Sequence, residues 1–267
     1  MSDARGSALL EVDGVVKRFA GVLAVDGASM VVADHSITAL IGPNGAGKTS
    51  LFNVISGFSN PEAGRVLFAG IPIQGKPVHS IARLGIARTF QQPKILRRMT
   101  LLDNMLLAAR DQPAESFWRA LLPAAARRDR ELDGQARELL RLVNLEDRAA
   151  DLAGVLSGGQ RKLLEFARAL MTEPRLVLLD EPLAGVNPIL RELLLERLAK
   201  VRSERRVTFL VIEHDLESVM RVSDSVAVMN EGRVIFSGDG AAAREDPGVV
   251  DAYLGRVDPS LFADKPA

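Results

Sequence analysis

Apolar positions along the chain form two patterns, which alternate from the N-terminus to the C-terminus. Continuous apolar runs of strand length occur in SITALI (36–41), RLVLLD (175–180) and VTFLVIE (207–213), and each predicts a buried strand. Helical spacing follows the first run in KTSLFNVISG (48–57) and recurs near 188–203. Strands that alternate with helices in this way indicate an α/β protein.

Three further segments complete the predicted layout. LLEVDGVVKRF (9–19) and ASMVVAD (28–34) are rich in β-formers and are separated by Gly and Asp, which predicts an antiparallel start. SVAVMNEGRVIFSG (225–238) predicts two short strands around a hairpin-like turn at Asn230 to Gly232. From about 97 to 172, Leu, Ala and Arg recur at helical spacing with few β-branched residues, so we expect an inserted helical lobe.

Composition narrows the possible functions. The chain has 267 residues, 34 basic and 34 acidic, so its net charge gives no reason to expect a nucleic acid partner. It has no Cys, which excludes disulfides, thiolate metal sites and cysteine nucleophiles. We find neither a secretory signal nor a run of about 20 apolar residues, so we expect any membrane association to depend on partner proteins.

The stretch LIGPNGAGKTS (40–50) fits the G-x-x-x-x-G-K-[ST] pattern of a phosphate-binding loop. In such a loop the glycines let backbone N–H groups converge on phosphate oxygens, Lys48 reaches the β and γ phosphates, and the Thr49 hydroxyl ligates Mg²⁺. We expect Lys48 to be solvated when no nucleotide is bound. The alternative, a Gly-rich turn that happens to precede a lysine, is disfavoured by the strand before it and the helix after it.

The stretch LVLLDEP (176–182) places two carboxylates directly after an apolar strand. Asp180 suits the magnesium-associated aspartate of nucleotide hydrolases, and Glu181 is a candidate general base for an attacking water. The alternative is that both residues simply end a strand before Pro182, which the phosphate loop makes less favourable.

LSGGQRKLLEFARAL (156–170) contains a second helix N-terminus suited to an anion. Ser157 is a good N-cap, and Gly158 and Gly159 leave the backbone accessible. One nucleotide does not need two such sites in one chain. This segment is therefore either an ordinary capped helix or a site for the nucleotide of another chain.

Together, GPNGAGKT, LSGGQ and LLDEP resemble the ATP-binding-cassette (ABC) ATPase family over roughly residues 9 to 255. In that family, two cassettes pair head to tail, and each ATP lies between the phosphate loop of one subunit and the LSGGQ segment of the other. The resemblance implies an α/β fold, a P-loop ABC ATPase core with an N-terminal antiparallel β subdomain and an inserted helical lobe. The implied boundaries are a single domain at 8–256, a RecA-like core at about 8–96 and 173–240, a helical lobe at about 97–172, and a flexible tail at 257–267.

The resemblance also assigns residues outside these three motifs. Gln91 in ARTFQQP matches the glutamine that links Mg²⁺ to the membrane partner, while Gln92 is less favoured because the family glutamine usually follows the aromatic directly. His214 in VIEHD matches the histidine that touches the γ-phosphate. Phe19 matches the aromatic that stacks on adenine, with a core phenylalanine as the alternative. Asn187 in AGVNP (184–188) stands where the family most often has Asp.

The implied site divides into three groups. The expected catalytic residues are Glu181, His214 and Gln91, and the expected Mg²⁺ residues are Thr49, Gln91 and Asp180. The residues expected to bind ATP are Phe19, Gly42, Pro43, Asn44, Gly45, Ala46, Gly47, Lys48, Thr49, Ser50, Ser157, Gly158, Gly159 and Gln160.

Details of the sequence resemble one branch of the family, the ATPases of branched-chain amino acid importers. These details are Glu213 before the histidine, GIARTFQ, AGVNP, the long stretch between Gln91 and LSGGQ, and DAYLG (251–255). Urea importers and lipopolysaccharide exporters share parts of this pattern and remain alternatives. The implied partners are a second ATPase subunit, the same or related, two transmembrane permease subunits and, indirectly, an external solute-binding protein, at the cytoplasmic face of the plasma membrane.

Two other function classes are considered. A non-transport cassette acting on DNA or the ribosome usually has a long coiled coil, a second cassette or a basic extension, and this chain has none of them. A plain P-loop kinase would leave LSGGQ without a purpose. The segment ESFWRALLPAAARR (115–128) has an apolar face beside an Arg cluster, which suits either a permease contact or the core of the helical lobe.

Overall fold

A computed structural model describes residues 8–110, 123–214 and 216–254 of the chain. The predicted tail at 257–267 and residues 115–122 of the segment ESFWRALLPAAARR lie outside the described residues. In chain order the elements are β1 (Ala8–Phe19), β2 (Val22–Ala33), β3 (Ile37–Ile41), α1 (Lys48–Ile55), β4 (Ala63–Phe68), β5 (Ile71–Pro72), α2 (Val78–Leu84), β6 (Ile86–Arg88), α3 (Leu101–Leu106), α4 (Pro123–Leu142), α5 (Gly158–Met171), β7 (Leu176–Asp180), α6 (Pro188–Arg205), β8 (Thr208–Ile212), α7 (Leu216–Met220), β9 (Ser225–Asn230), β10 (Arg233–Gly238), α8 (Gly240–Glu245) and α9 (Pro247–Leu254).

The first sheet is antiparallel and has the order β2-β1-β4-β5. The predicted antiparallel start is therefore confirmed. β2 begins at Val22, earlier than the predicted 28, because a two-residue turn at Ala20 and Gly21 joins it directly to β1. The sequence pattern did not reveal β4, which pairs with the other edge of β1, or β5, which pairs with β4.

The second sheet has the order β10-β9-β3-β8-β7-β6. From β9 to β6 its neighbours are parallel, and β10 is antiparallel to β9 through the predicted hairpin. Every residue of β3, β7 and β8 is buried, which explains why these strands appear in the sequence as continuous apolar runs. Because the strands are parallel, the loops after β3, β6, β7 and β8 all leave from one edge of the sheet.

Helices α3, α4 and α5 lie between β6 and β7 in the chain and pack against one another. Their buried side chains, among them Met105, Leu139 and Phe166, form one continuous core with residues of the second sheet such as Phe209. Another core lies between the two sheets and includes the α1 residue Phe52. Across the described residues, no helix is both long enough and apolar enough to cross a membrane.

Candidate functional site

The loop from Gly42 to Gly47 joins β3 to α1 and requires glycine at both ends. Gly42 has φ +146° and Gly47 has φ +100°, conformations that side-chain-bearing residues rarely adopt. A Cβ at Gly42 would lie 2.0 Å from the Met229 carbonyl oxygen, and one at Gly47 would lie 2.2 Å from the Ala24 carbonyl oxygen. The backbone of β2 and β9 therefore packs directly against the loop and fixes its path.

Lys48 is buried, contrary to the expectation that it would be solvated. Its side chain folds back over the loop, and Nζ donates hydrogen bonds to the carbonyl oxygens of Gly42 (2.7 Å) and Pro43 (2.9 Å). Burial lowers the pKa of the ammonium group, while the carboxylates of Glu181 and Asp180 act in the opposite direction. The loop thus holds its lysine in place through its own carbonyl groups, which sequence reasoning could not anticipate.

The N-terminus of α1 offers its backbone N–H groups without a side-chain cap. Gly47 is the N-cap residue and has no side chain to accept a hydrogen bond. Asn44, Gly45 and Thr49 are exposed, whereas Ala46 is buried under the loop; Pro43 and Ser50 are half-buried. A helix N-terminus of this kind favours an anion because its first N–H groups lack partners within the helix.

A hydrogen-bonded group of three side chains lies at the same edge of the sheet. Gln91 Nε2 donates to Glu181 Oε2 (2.9 Å), and Glu181 Oε1 lies 2.7 Å from His214 Nε2. These residues follow β6, β7 and β8 respectively, so the parallel strands bring together residues 33 and 90 positions apart. Both carboxylate oxygens of Glu181 are engaged, which orients the candidate base.

The backbone around Glu181 is held from two sides by residues that sequence reasoning did not assign. Glu181 has φ +50°, and its carbonyl oxygen accepts a hydrogen bond from Lys162 Nζ (2.6 Å). The buried carboxylate of Glu213 accepts from the backbone N–H of Leu183 (2.6 Å) and from that of His214 (3.2 Å). Burial raises the pKa of Glu213. In the sequence, Glu213 served only to distinguish one branch of the family. Its position before His214 allows it to connect the loops that follow β7 and β8.

Asp180 ends β7 and forms a buried ion pair with Arg88, which ends β6. Arg88 Nη2 lies 3.0 Å from Asp180 Oδ2, and burial lowers the pKa of the guanidinium. Arg88 belongs to the stretch ARTFQQP, but the sequence alone predicted no role for it. The signal available was an arginine two residues before the aromatic Phe90 and three residues before Gln91.

Phe19 and Gln92 differ in what they contact. Phe19 is 43% exposed at the end of β1, with Lys17 Nζ 5.2 Å from its ring centroid, so it is not a core phenylalanine. Gln92 is exposed, and Gln91 rather than Gln92 contacts Glu181. Tyr253 on α9, also unassigned by sequence reasoning, lies against the Gly42 backbone, and burial raises its pKa to about 12.

The LSGGQ segment forms the capped N-terminus of α5. The Ser157 hydroxyl accepts from the Gln160 backbone N–H (3.2 Å), and Gln160 Oε1 accepts from the Ser157 N–H (3.0 Å) and from Arg148 (3.3 Å). Ser157 and Gly158 are exposed, while Gly159 is buried close to Leu190. The hydrogen bonds of Ser157 and Gln160 therefore stay within the helical region, away from Lys48 and Glu181 of the same chain.

Asn187, which stands where the family most often has Asp, caps α6. Its Oδ1 accepts a hydrogen bond from the Leu190 N–H at 3.0 Å, and Pro188 occupies the first turn. An amide oxygen and a carboxylate oxygen both serve as N-caps, so this substitution leaves the local fold intact.

The donor set fits a nucleotide accompanied by Mg²⁺. Among the described residues, no group of three or more His, Asp or Glu side chains is arranged to hold a metal alone. Mg²⁺ in nucleotide sites is typically held by one or two protein groups together with phosphate oxygens and water, so such a group is not required. Thr49 presents an exposed hydroxyl at the start of α1, and Asp180 has one oxygen not occupied by Arg88.

Comparison with known proteins agrees with this geometry. Residues 25–184 match the family model described as ABC transporter. The chain is 43% identical over 251 residues to the high-affinity branched-chain amino acid transport ATP-binding protein BraF of Pseudomonas aeruginosa, covering 93% of this chain and 98% of that protein. It is 39% identical over 251 residues to LivG of Escherichia coli, a protein described in the same terms, with the same coverage.

A solved structure shows the same fold. An ATP-binding cassette of an ABC transporter in its ADP conformation superposes with a TM-score of 0.80 at 35% identity, covering 93% of this chain and 99% of that chain. The expected fold class, an α/β P-loop cassette with an antiparallel β subdomain and inserted helices, is confirmed. The chain belongs to the ABC transporter family.

Proposed function

We propose that this protein is the ATP-hydrolysing subunit of a solute importer and that MgATP binds at the edge of the second sheet. The observation that carries the proposal is the contact of Gln91 and His214 with the two oxygens of Glu181, beside a glycine loop that buries Lys48. Such an arrangement combines an anion site with an oriented carboxylate, which hydrolysis of a phosphoanhydride requires.

Each residue then has a distinct role. Lys48 exchanges the carbonyls of Gly42 and Pro43 for the β and γ phosphates, because a triphosphate is the stronger acceptor. Glu181 accepts a proton from the attacking water, and His214 contacts the γ-phosphate. Thr49, Gln91 and Asp180 would hold Mg²⁺, which would neutralise charge on the phosphates. Phe19, exposed at the end of β1, stacks on adenine.

The LSGGQ segment serves the nucleotide of a second cassette. Ser157 and Gly158 are exposed, and their hydrogen bonds do not lead to the phosphate loop of their own chain. The first-turn N–H groups of α5 therefore face outward, where the γ-phosphate held by a partner cassette could approach them. Two cassettes paired head to tail would bury both nucleotides.

Permease subunits dock beside the loop that carries Gln91. A cleft of about 530 Å³ opens between α2 and β6 on one side and α3 and α5 on the other. Its lining combines apolar side chains with basic ones and includes Phe58, Val78, Arg83, Phe90, Arg110 and Arg168. Phe90 directly precedes Gln91, so a permease segment in this cleft would sit one residue from the catalytic group. On this basis we propose that the protein is a peripheral subunit at the cytoplasmic face of the plasma membrane.

The proposed solutes are branched-chain amino acids. The proposal rests on the similarity to the branched-chain amino acid transport ATP-binding proteins BraF and LivG, which match over nearly their whole length, and on the sequence details shared with that branch. Uptake measurements test the solute directly. A solute-binding protein outside the membrane and two permeases complete the proposed importer.

Two measurements test this function. In cells that produce either the wild type or Glu181→Gln as the sole copy, uptake of labelled leucine, isoleucine and valine should fall to background in the variant. Urea uptake serves as the parallel measurement, and loss of urea uptake alone would assign the other solute. Tagged protein purified from detergent-solubilised membranes should carry permease subunits with it; recovery of ribosomes or nucleic acid instead would contradict the importer.

A further inference from the structure

Arg88 joins the Asp180 carboxylate to the C-terminal end of α1. Its Nη2 lies 3.0 Å from Asp180 Oδ2, while Nη1 donates to Asn53 Oδ1 (2.7 Å) and Ser56 Oγ (2.9 Å). The two charged side chains are only 7% and 6% exposed. A planar guanidinium can make these bonds simultaneously, whereas a lysine ammonium could not span them in the same geometry.

Aromatic rings enclose the same guanidinium. Its central carbon lies 5.7, 5.6 and 5.3 Å from the ring centroids of Phe52, Phe58 and Phe90. Phe58 and Phe90 meet edge to face with centroids 5.7 Å apart, and both line the cleft proposed above for a permease segment. The wall of the cleft is thus in direct contact with the group that holds Asp180.

The geometry restricts how Asp180 can act. Because Oδ2 is bound by Arg88, the carboxylate plane is fixed and Oδ1 is the oxygen left for a metal ion or its water. Groups that orient a carboxylate beside a metal affect metal affinity strongly even though they never touch the metal. Arg88 is well placed for that effect, because it bonds Asp180 on one side and is itself held by Asn53 and Ser56 on the other.

We propose that Arg88 is a positioning residue, which sets the Asp180 carboxylate for Mg²⁺ and ties it mechanically to the Phe58 and Phe90 wall of the cleft. This inference rests on the proposed function, since it requires that Asp180 serve a nucleotide-bound metal. In this arrangement Arg88 links the cleft directly to the metal site, and this link is separate from the one through Gln91.

The test measures metal binding without turnover. Purified full-length protein, saturated with a non-hydrolysable ATP analogue, is titrated with Mn²⁺ as a paramagnetic substitute for Mg²⁺, and bound ion is quantified by electron paramagnetic resonance. Arg88→Met should weaken Mn²⁺ binding by about 10- to 100-fold, the range found for groups that orient metal ligands. Arg88→Lys, which keeps the charge but not the fork, should give an intermediate loss. Analogue binding in the presence of a chelator should change by no more than about threefold.

Phe58→Ala provides a variant remote from the nucleotide. Phe58 is 52% exposed, so removing its ring should leave the fold intact while loosening the guanidinium. It should shift Mn²⁺ affinity in the same direction by about two- to fivefold, less than an orienting group itself does. Two matched controls should have no effect: Ile71→Ala, an exposed apolar residue on β5, and Arg65→Met, which breaks an exposed pair with Asp13 at 2.9 Å.

The possible outcomes separate the two proposals. Wild-type Mn²⁺ affinity in Arg88→Met, or in both Arg88→Lys and Phe58→Ala if Arg88→Met does not fold, would overturn the role of Arg88. A shift in Arg88→Met with none in Phe58→Ala would overturn the link to the cleft. If the wild type itself binds no Mn²⁺ with the analogue, the result contradicts the proposed function and not only the role of Arg88.

Discussion

The molecule has two helix N-termini that the sequence marks as anion sites, and their structures differ. At α1 the N-cap is Gly47, which has φ +100° and provides no side-chain hydrogen bond. At α5 the N-cap is Ser157, which forms a complete capping box with Gln160. The first terminus is enclosed by the backbone of neighbouring strands, and the second is exposed at Ser157 and Gly158.

The difference indicates how much each site depends on a ligand. At α1 the donors have no internal cap, and Lys48 is held ready by carbonyl oxygens of the loop, so the chain builds the proposed phosphate site by itself. At α5 the helix is already capped, so the segment does not need an anion for its own stability. We therefore infer that the N-terminus of α1 is the primary nucleotide site and that the N-terminus of α5 contacts the nucleotide of another chain.

Lys48→Ala should produce the largest effect. A polyphosphate at α1 would lose its main side-chain countercharge, so ATP turnover should fall by about 10²-fold or more and nucleotide binding should weaken greatly. Phosphate release and binding of a fluorescent ATP analogue measure the two effects. Lys200→Ala, an exposed lysine of α6, is the control. Near-normal turnover in Lys48→Ala would rule out this loop as the active site.

A pair of glycine substitutions should separate the two termini in stability. Gly47→Ala places a Cβ 2.2 Å from a backbone oxygen at φ +100°, so it should lower the free energy of unfolding by about 2 to 4 kcal/mol. A Cβ at Gly158 would meet only an Arg161 side-chain atom, at 4.0 Å. Gly158→Ala should therefore increase the free energy of unfolding, by less than about 1 kcal/mol. Urea denaturation checks both; equal losses would show that the loop is not the constrained element.

Ser157→Ala should have a small effect on stability and almost none on nucleotide affinity. Loss of the capping hydroxyl should lower the free energy of unfolding by about 1 kcal/mol. Because the phosphate loop belongs to a different part of the chain, the affinity of the isolated protein for ATP should remain within about twofold, a difference of well under 1 kcal/mol. Thermal melting and analogue titration give the two values. A large loss of affinity in the monomer would mean that α5 contributes to the nucleotide site of its own chain.

The parts of the fold that the sequence predicts well are those whose burial is continuous. β3, β7 and β8 are buried along their whole length, so each leaves an uninterrupted apolar run. β6, with three residues, and β5, with two, are too short to show any period, and GIARTFQ drew attention only as a motif. The position of β6 depends on pairing with β7, which lies far away in the sequence. The position of β5 depends on pairing with β4, which lies just before it in the chain.

The same distinction applies to the site. Lys48, Glu181 and His214 could be assigned because their motifs have fixed spacing from strands. The burial of Lys48 could not be predicted from the sequence, because its partners are backbone carbonyls whose direction depends on the loop conformation. The contacts of Arg88 and Lys162 with the Asp180 and Glu181 region join residues 92 and 19 positions apart, and no periodicity in one sequence reports such pairs.

We propose that α5 of one chain completes the nucleotide site of another, and the Glu181→Gln variant tests this pairing. The glutamine keeps the shape of the site but cannot accept a proton, so bound ATP persists and the paired state gains binding free energy that the monomer lacks. Size-exclusion chromatography with light scattering should give a dimer with MgATP and a monomer with ADP or no nucleotide. Adding Ser157→Arg, which places bulk and charge at the outward terminus, should abolish the dimer while ATP still binds. A monomer under every condition would contradict pairing of identical chains, and a dimer that ignores nucleotide would contradict the role of α5.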